Sequence, residues 1–302
     1  MNVSVNGQRL SSDFGHLVNS RTLVRRINEN PKSPFKAKLY ERFDSIAKLI
    51  NLSRRNGGRK FSMKTVQSRK FKLSKGLAIP PEYDLRKNWY QCVGDIQNEG
   101  QCGAVWAMAP SATVSDRMCI QSNAKFQERL SSQYILECDT RDFGCNGGYM
   151  NTEFEFELNR GVPTEKCVPY IAFNMTLQPC PTSCFNSTQP MVLYKTKSVQ
   201  NVTGELDMQQ AILQGGSIMT EMDVYQDFIY YSSGVYEHDP SFTQPIAKTV
   251  ARIVGWGSLN GVNYWIVANV WGKTWGLDGY VLVRRGTNES NIEKDAYAFQ
   301  VY

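Results

Sequence analysis

Two residue types in this chain could do nucleophilic chemistry at neutral pH, and they are unevenly supplied. Eight cysteines lie between Cys92 and Cys184, whereas the only histidines are His16 and His238. A thiol attacks as its thiolate, which forms near pH 7 when a helix N-terminus and an imidazolium lower its pKa. The stretch Glu99-Gly100-Gln101-Cys102-Gly103-Ala104-Val105-Trp106 runs into a segment with helical spacing of apolar residues, Val105 to about Asn123. It holds a single sulfur, Cys102, and no imidazole. Nor does a histidine follow nearby: His16 lies in a basic N-terminal arm, and His238 reads as a surface loop residue. No metal-ligand spacing, phosphate loop or internal repeat occurs, so neither a metal nor a cofactor is expected.

The cysteines read as a disulfide framework, because an even number confined to one span points to an oxidising compartment rather than to cytosolic thiols. With 302 residues, 41% of them hydrophobic, the chain can bury one large core or two lobes. No run is long enough to span a membrane. Met1–Ser20 is polar and lacks the apolar middle of a secretory signal, so the sequence is expected to lack its true N-terminus. Charge divides the chain. Residues 1–78 carry 18 Lys and Arg against 4 Asp and Glu, a net +14, and residues 79–302 carry 16 against 24, a net −8. The arm is expected to dock on the acidic body by charge complementarity. Nucleic acid is not an expected partner, since no aromatics interleave the basic residues.

The segment 99–106 resembles the nucleophile segment of the papain family of cysteine proteases, whose pattern is Gln-Gly-x-Cys-Gly-x-Cys-Trp. The resemblance continues through Ser115-Asp116-Arg117-Met118-Cys119-Ile120, Leu130 to Cys138, Gly144-Cys145-Asn146-Gly147-Gly148, and Asn263-Tyr264-Trp265-Ile266-Val267-Ala268-Asn269. Trp271-Gly272-Lys273-Thr274-Trp275-Gly276 belongs to it as well, and Ile79-Pro80-Pro81-Glu82-Tyr83-Asp84-Leu85-Arg86 is similar to the start of the mature domain. Several of these motifs point to the cathepsin B-like branch. The resemblance implies an α+β, papain-like two-lobe fold, with a helical left lobe, a β-barrel-like right lobe and an N-terminal pro-segment. Residues 1–78 are the arm and 79–302 the protease-like domain. Within the arm, Ile27 to Ala37 resembles the short pro-segment of these enzymes, with Phe35 in the place of a tryptophan and Lys38 in that of a glycine.

Carried over by position, the resemblance implies a degenerate site. Val105 stands where the family has its nucleophilic cysteine. Counting back from the Gly255-Trp256-Gly257 turn, Thr249 stands where it has the base, and Glu99 where it has the oxyanion-hole glutamine; only the orienting asparagine persists, as Asn269. Valine has nothing to ionise, threonine shuttles no proton near pH 7, and a carboxylate repels a developing oxyanion. Gly147 and Gly148 imply a backbone groove for a peptide, or else only a turn beside Cys145. Trp271 and Trp275 would screen Asn269, and Asp295 would lie at the base of the pocket for the second upstream side chain. The implied disulfides are Cys102–Cys145, Cys92–Cys119, Cys138–Cys180 and Cys167–Cys184, which leaves Cys102 unable to act as a displaced nucleophile.

The expected function is therefore binding. The partner would be a peptide or protein, such as another protease, a protease inhibitor or a matrix component, held by a monomer in or near the former substrate groove. An active cysteine-type endopeptidase using unusual residues and a structural or storage glycoprotein are the alternatives. Six Asn-x-Ser/Thr sequons, at Asn2, Asn51, Asn174, Asn186, Asn201 and Asn288, fit a secreted or lysosomal/vacuolar glycoprotein. Without self-cleavage, residues 1–78 would stay attached unless another protease cut near Ile79. Pro110 predicts a kink or a late start in the helix from Val105, with Trp106, Ala109, Val114 and Met118 near one apolar face. Two arm helices are expected, over 17–27 and 39–52, ahead of a basic linker at 54–60, and strands at 246–254, 264–268 and 279–284.

Overall fold

The helix that enters at Val105 spans Val105–Gln121, and every residue from Val105 to Cys119 is buried. It is not the amphipathic helix its spacing predicts; a helix walled in on all sides has no polar face to present. Nor does Pro110 delay its start. Lying in the second turn, it forgoes one ladder bond, to the Trp106 carbonyl, and its ring joins the core. Two charged residues at mid-helix bolt it to the rest of the molecule. Asp116 accepts from Arg252 Nη1 and from Ser217 Oγ, both at 2.6 Å, and the buried Arg117 guanidinium donates to the carbonyls of Phe299, Gly216 and Ser217.

The computed structural model describes residues 18–43 and 78–301 except 187 and 189, together with the backbone of two short paired strands, Ser4–Val5 and Gln8–Arg9. Helices Ser132–Cys138 and Met150–Asn159 stand beside the central helix. The second half of the chain supplies seven strands of a nine-stranded sheet, completed by two short strands from the first half, which gives the α+β, papain-like arrangement that the resemblance implies. Its strands run in the order Phe35–Ala37, Tyr231–Tyr236, Tyr280–Arg284, Val262–Ala268, Ala247–Leu259, Ile218–Val224, Ala296–Gln300 and Ser198–Val202, with Tyr83–Asp84 pairing on Ala247–Leu259. The three expected strands are all present. Gly255-Trp256-Gly257, however, is not a turn: it continues strand Ala247–Leu259 past a register shift between Ile253 and Gly255. Gly255 has to be bare there, since a Cβ would lie 2.2 Å from the Tyr83 carbonyl of the paired strand.

All eight cysteines pair, as Cys92–Cys119, Cys102–Cys145, Cys138–Cys180 and Cys167–Cys184. Two carboxylic acids break the apolar rule of the helical half. Glu153 and Glu157, one turn apart on Met150–Asn159, are fully buried, and their four oxygens find no hydrogen-bond partner among the described residues. Burial and then the repulsion of Glu157 hold the Glu153 carboxyl well above its ordinary value, with Asp139 and Asp142 adding to the push; burial raises Glu157 too.

Residues 18–43 of the arm form an integral layer on the body. Helix Ser20–Glu29, capped by the Asn19 side chain, buries Leu23 and Ile27. Strand Phe35–Ala37 then adds antiparallel to Tyr231–Tyr236 at the sheet edge, and a 3-10 turn follows at Glu41–Phe43. Of the expected 39–52 helix only this turn lies within the described residues; the 54–60 linker, His16, Asn2 and Asn51 lie outside them. Among the described residues, charge supplies only part of the arm's contact with the body. Among the described residues the arm's ion pairs to the body are Arg26–Asp239 at 3.3 Å and Arg42–Glu99 at 2.8 Å. The larger surface is aromatic. Phe35 packs on Tyr231 and Tyr236, Tyr40 on Trp275 and Phe43 on Trp271, while Tyr40 Oη donates to the Tyr231 carbonyl at 2.6 Å and accepts from Gly276 N at 2.8 Å.

Gly234 is where arm and body touch most closely. Its φ is +88°, and a Cβ would lie 2.5 Å from the Pro34 carbonyl oxygen. Gly234→Ala should therefore loosen the edge strand by about 1–3 kcal/mol. The expected result is faster hydrogen exchange at the amides of Phe35–Ala37, with the central helix unchanged. Unaltered exchange at those amides would contradict a tight strand junction.

Candidate functional site

The segment ahead of the central helix is pinned on both flanks. Glu99 N donates to the Val270 carbonyl at 2.9 Å, its own carbonyl accepts from Tyr170 Oη at 2.8 Å, and Gly103 bridges to Asn146 next to the Cys102–Cys145 disulfide. The Glu99 side chain is thereby turned inward, and it is 1% exposed. One carboxylate oxygen, Oε2, accepts from Ala104 N at 3.0 Å; the other, Oε1, accepts from Arg42 Nη2 at 2.8 Å. Ala104, the residue preceding the helix, offers no side-chain cap of its own, so Glu99 serves as cap from five residues upstream. Burial pushes its carboxyl up to about 7, against the pull of Arg42, the Ala104 and Val105 N–H groups and the Trp271 indole.

The other positions implied by the resemblance lie at the helix start, on the sheet and just beyond its strands. Val105, the first helical residue, is buried. Thr249 faces Met222 across the sheet; its Oγ1 is buried and has no partner among the described residues. Asn269 spends its Oδ1 on the backbone N–H of Val270 at 2.8 Å, and its Nδ2 is likewise unpartnered. Trp271 and Trp275, edge to face at 5.0 Å, are buried beside it in sequence. Of these four positions Glu99 alone carries a group that titrates below pH 9. With the eight sulfurs in disulfides, no free thiol remains in the chain.

The two glycines separate in role. Gly147 has φ +100° and belongs to a tight turn, its carbonyl accepting from Phe143 N. Gly148 is bare because Trp106 lies against it, where a Cβ would stand 2.4 Å from the indole ring. Among the described residues the N–H and C=O of Gly148 make no backbone hydrogen bond. Asp295 is exposed just ahead of strand Ala296–Gln300, and its carbonyl accepts from Thr220 Oγ1. His238 departs from its reading as a surface loop residue: it is half-buried, stacked on Tyr225 at 4.1 Å and bonded through Nδ1 to Glu289 Oε1 at 2.8 Å, which raises its pKa. Arg42 went unnoticed in the sequence because nothing local marks its register. The available signal was an acidic residue in the family's glutamine position opposite a strongly basic arm.

A buried helix that starts beside a disulfide-pinned loop, facing a sheet that presents Thr249 and Asn269, is the architecture of a papain-type cysteine protease. The Papain family cysteine protease profile matches residues 79–300, and this chain belongs to that family. Cathepsin B-like CP2 of Giardia intestinalis is 34% identical over 223 residues, 73% of this chain and 74% of that protein. Cathepsin B-like protease 1 of Arabidopsis thaliana is 29% identical across 96% of this chain and 85% of its own length. Among solved structures, procathepsin B S9 from Trypanosoma congolense superposes with a TM-score of 0.84 at 29% identity, covering 94% of this chain and 98% of that one. The last two likenesses reach well into the arm.

Proposed function

We propose that this chain is a catalytically silent, cathepsin B-like member of its family that works by holding a peptide or protein segment in the former substrate groove. The observation that carries this reading is the chemistry left at the helix N-terminus. A valine stands in the nucleophile's place, every cysteine is in a disulfide, and the Glu99 carboxylate itself takes up backbone N–H donors of the kind that stabilise a tetrahedral oxyanion. Groove binding is supported by the open backbone of Gly148, which suits strand-like pairing with a peptide.

The named relatives are proteases, which favours a second reading, an active endopeptidase using unusual residues. One experiment separates the two. Purified protein should show no covalent labelling by a peptidyl epoxide or vinyl sulfone between pH 4.5 and 7.5, and no peptide hydrolysis sensitive to a thiol alkylator. Stoichiometric labelling, at Cys102 above all, would overturn the proposal. Exposed sequon residues at Asn174, Asn186 and Asn288 fit glycosylation along a secretory route, which enzymatic deglycosylation of the native protein would reveal as a mass shift.

A further inference from the structure

The former catalytic centre holds a carboxylate that needs a cation, and the arm supplies one in a specific setting. Glu99 is buried, one oxygen fixed by the Ala104 N–H, so the other faces outward with its lone pairs directed at Arg42 Nη2, 2.8 Å away. The same guanidinium turns Nη1 toward Asn98 Oδ1 at 3.4 Å. The next residue, Phe43, is buried edge-on against Trp271 with ring centroids 4.9 Å apart, and its carbonyl accepts from Tyr230 Oη at 3.0 Å. Two adjacent residues thus fill two adjacent subsites, one anionic and one aromatic.

We infer that the converted centre is a receptor for an arginine side chain followed by an aromatic one, that Arg42-Phe43 is its resident occupant, and that a partner peptide recognised there carries the same pair. This rests on the groove-binding reading above and names its ligand chemistry. A planar guanidinium can serve Glu99 and Asn98 together, whereas an ammonium is a point charge that serves them one at a time. Trp271 supplies the wall for the second side chain, and its quadrupole favours the edge-to-face contact that Phe43 makes. Because the occupant is tethered, an incoming segment competes against a high local concentration of arm, so the receptor opens to partners when Arg42-Phe43 is withdrawn.

The test uses the full chain with its own occupant removed by Tyr40→Ala, Arg42→Ala and Phe43→Ala, probed by a fluorescent peptide copying residues 39–43, which leaves the docked helix Ser20–Glu29 and strand Phe35–Ala37 in place. Three probes are compared, carrying arginine, lysine or alanine at the position of Arg42, each against chains with Glu99 or Glu99→Gln. The arginine probe should bind on the order of 30-fold or more tightly than the alanine probe, with lysine between them, and Glu99→Gln should collapse that ladder. Retention of near-ultraviolet dichroism and zero free thiols confirm that each variant is folded. If a variant misfolds, the same comparison is made by hydrogen exchange of the arm in the Arg42→Lys chain, the Glu99→Gln chain and the chain carrying both, which should loosen the turn Glu41–Phe43 non-additively. Equal affinities for the three probes, an arginine preference that survives Glu99→Gln, or strict additivity would each overturn the inference. None of those outcomes bears on catalytic silence, which only thiol-dependent hydrolysis would sink.

Discussion

A chain carrying Val105→Cys, Thr249→His and Glu99→Gln is expected to gain thiol-dependent hydrolysis of a small fluorogenic peptide, and the chain that keeps Glu99 to remain about 10²–10³-fold slower. Both would also carry Arg42→Ala, so that the contact between Arg42 and residue 99 is absent from each. The difference comes from where the carboxylate sits. Its Oε2 already occupies the Ala104 N–H at the helix N-terminus, so a tetrahedral intermediate would meet a negative charge where it needs donors. The glutamine amide reverses this, offering N–H groups at the same place. The thiol and imidazole would be expected to find each other without further change, because Val105 and Thr249 are held by the helix start and a central strand rather than by loops. Equal rates with and without Glu99→Gln would mean that the carboxylate leaves the donors free. The readout is kcat/KM for both chains, checked by iodoacetamide inhibition.

The second large effect is on stability as a function of pH. Burial holds the Glu153 and Glu157 carboxyls above the ordinary range, Glu157 at about 8 and Glu153 raised further by Glu157 beside it, and Glu99, at about 7, and Asp142 and Asp227, at about 6, are shifted the same way. A carboxyl whose folded pKa is raised keeps its proton in the native state while the unfolded chain has lost it. Stability therefore falls as pH rises from the unfolded value near 4.5 through the folded one, by about 1.4 kcal/mol per pH unit for each extra proton held. His238, raised by Glu289, acts in the same direction, its contribution fading as pH rises through its folded pKa. Asp95 and Asp239, which are lowered, oppose the trend, but they are exposed and solvent screens them. Denaturant midpoints should fall steadily from pH 5 to pH 8, and Glu153→Gln with Glu157→Gln should flatten the profile by up to about two protons' worth. A wild-type midpoint that climbs over that range would refute the assignment.

What the sequence disclosed, and what it hid, follow from how far each signal reaches along the chain. The cysteine-bearing motifs, the Gly144–Gly148 marker among them, are local, and they led by resemblance to all four disulfides. The strands at 246–254, 264–268 and 279–284 were legible as β-rich apolar runs. Gly255-Trp256-Gly257 misled, because two glycines read as a turn when the bareness of Gly255 in fact admits the strand Tyr83–Asp84 and that of Gly257 the Tyr264 side chain. Burial on all sides of Val105–Gln121 was invisible, since helical period reports which residues are apolar and not how many neighbours surround them. Contacts between distant segments carry no local mark at all. Arg42 meets Glu99 across 57 positions, and His238 meets Glu289 across 51, so both appear only once the chain is folded.

The strand Phe35–Ala37 caps the outer edge of the sheet, leaving Tyr231–Tyr236 bonded on both sides. A working protease that discards such a cap uncovers a row of unpaired amides and carbonyls next to Tyr231 and Tyr236, a template on which another molecule can lay its own strand. On the proposed reading this chain does not cut itself and the cap stays in place, so its loss to a foreign enzyme is expected to be felt first as clumping.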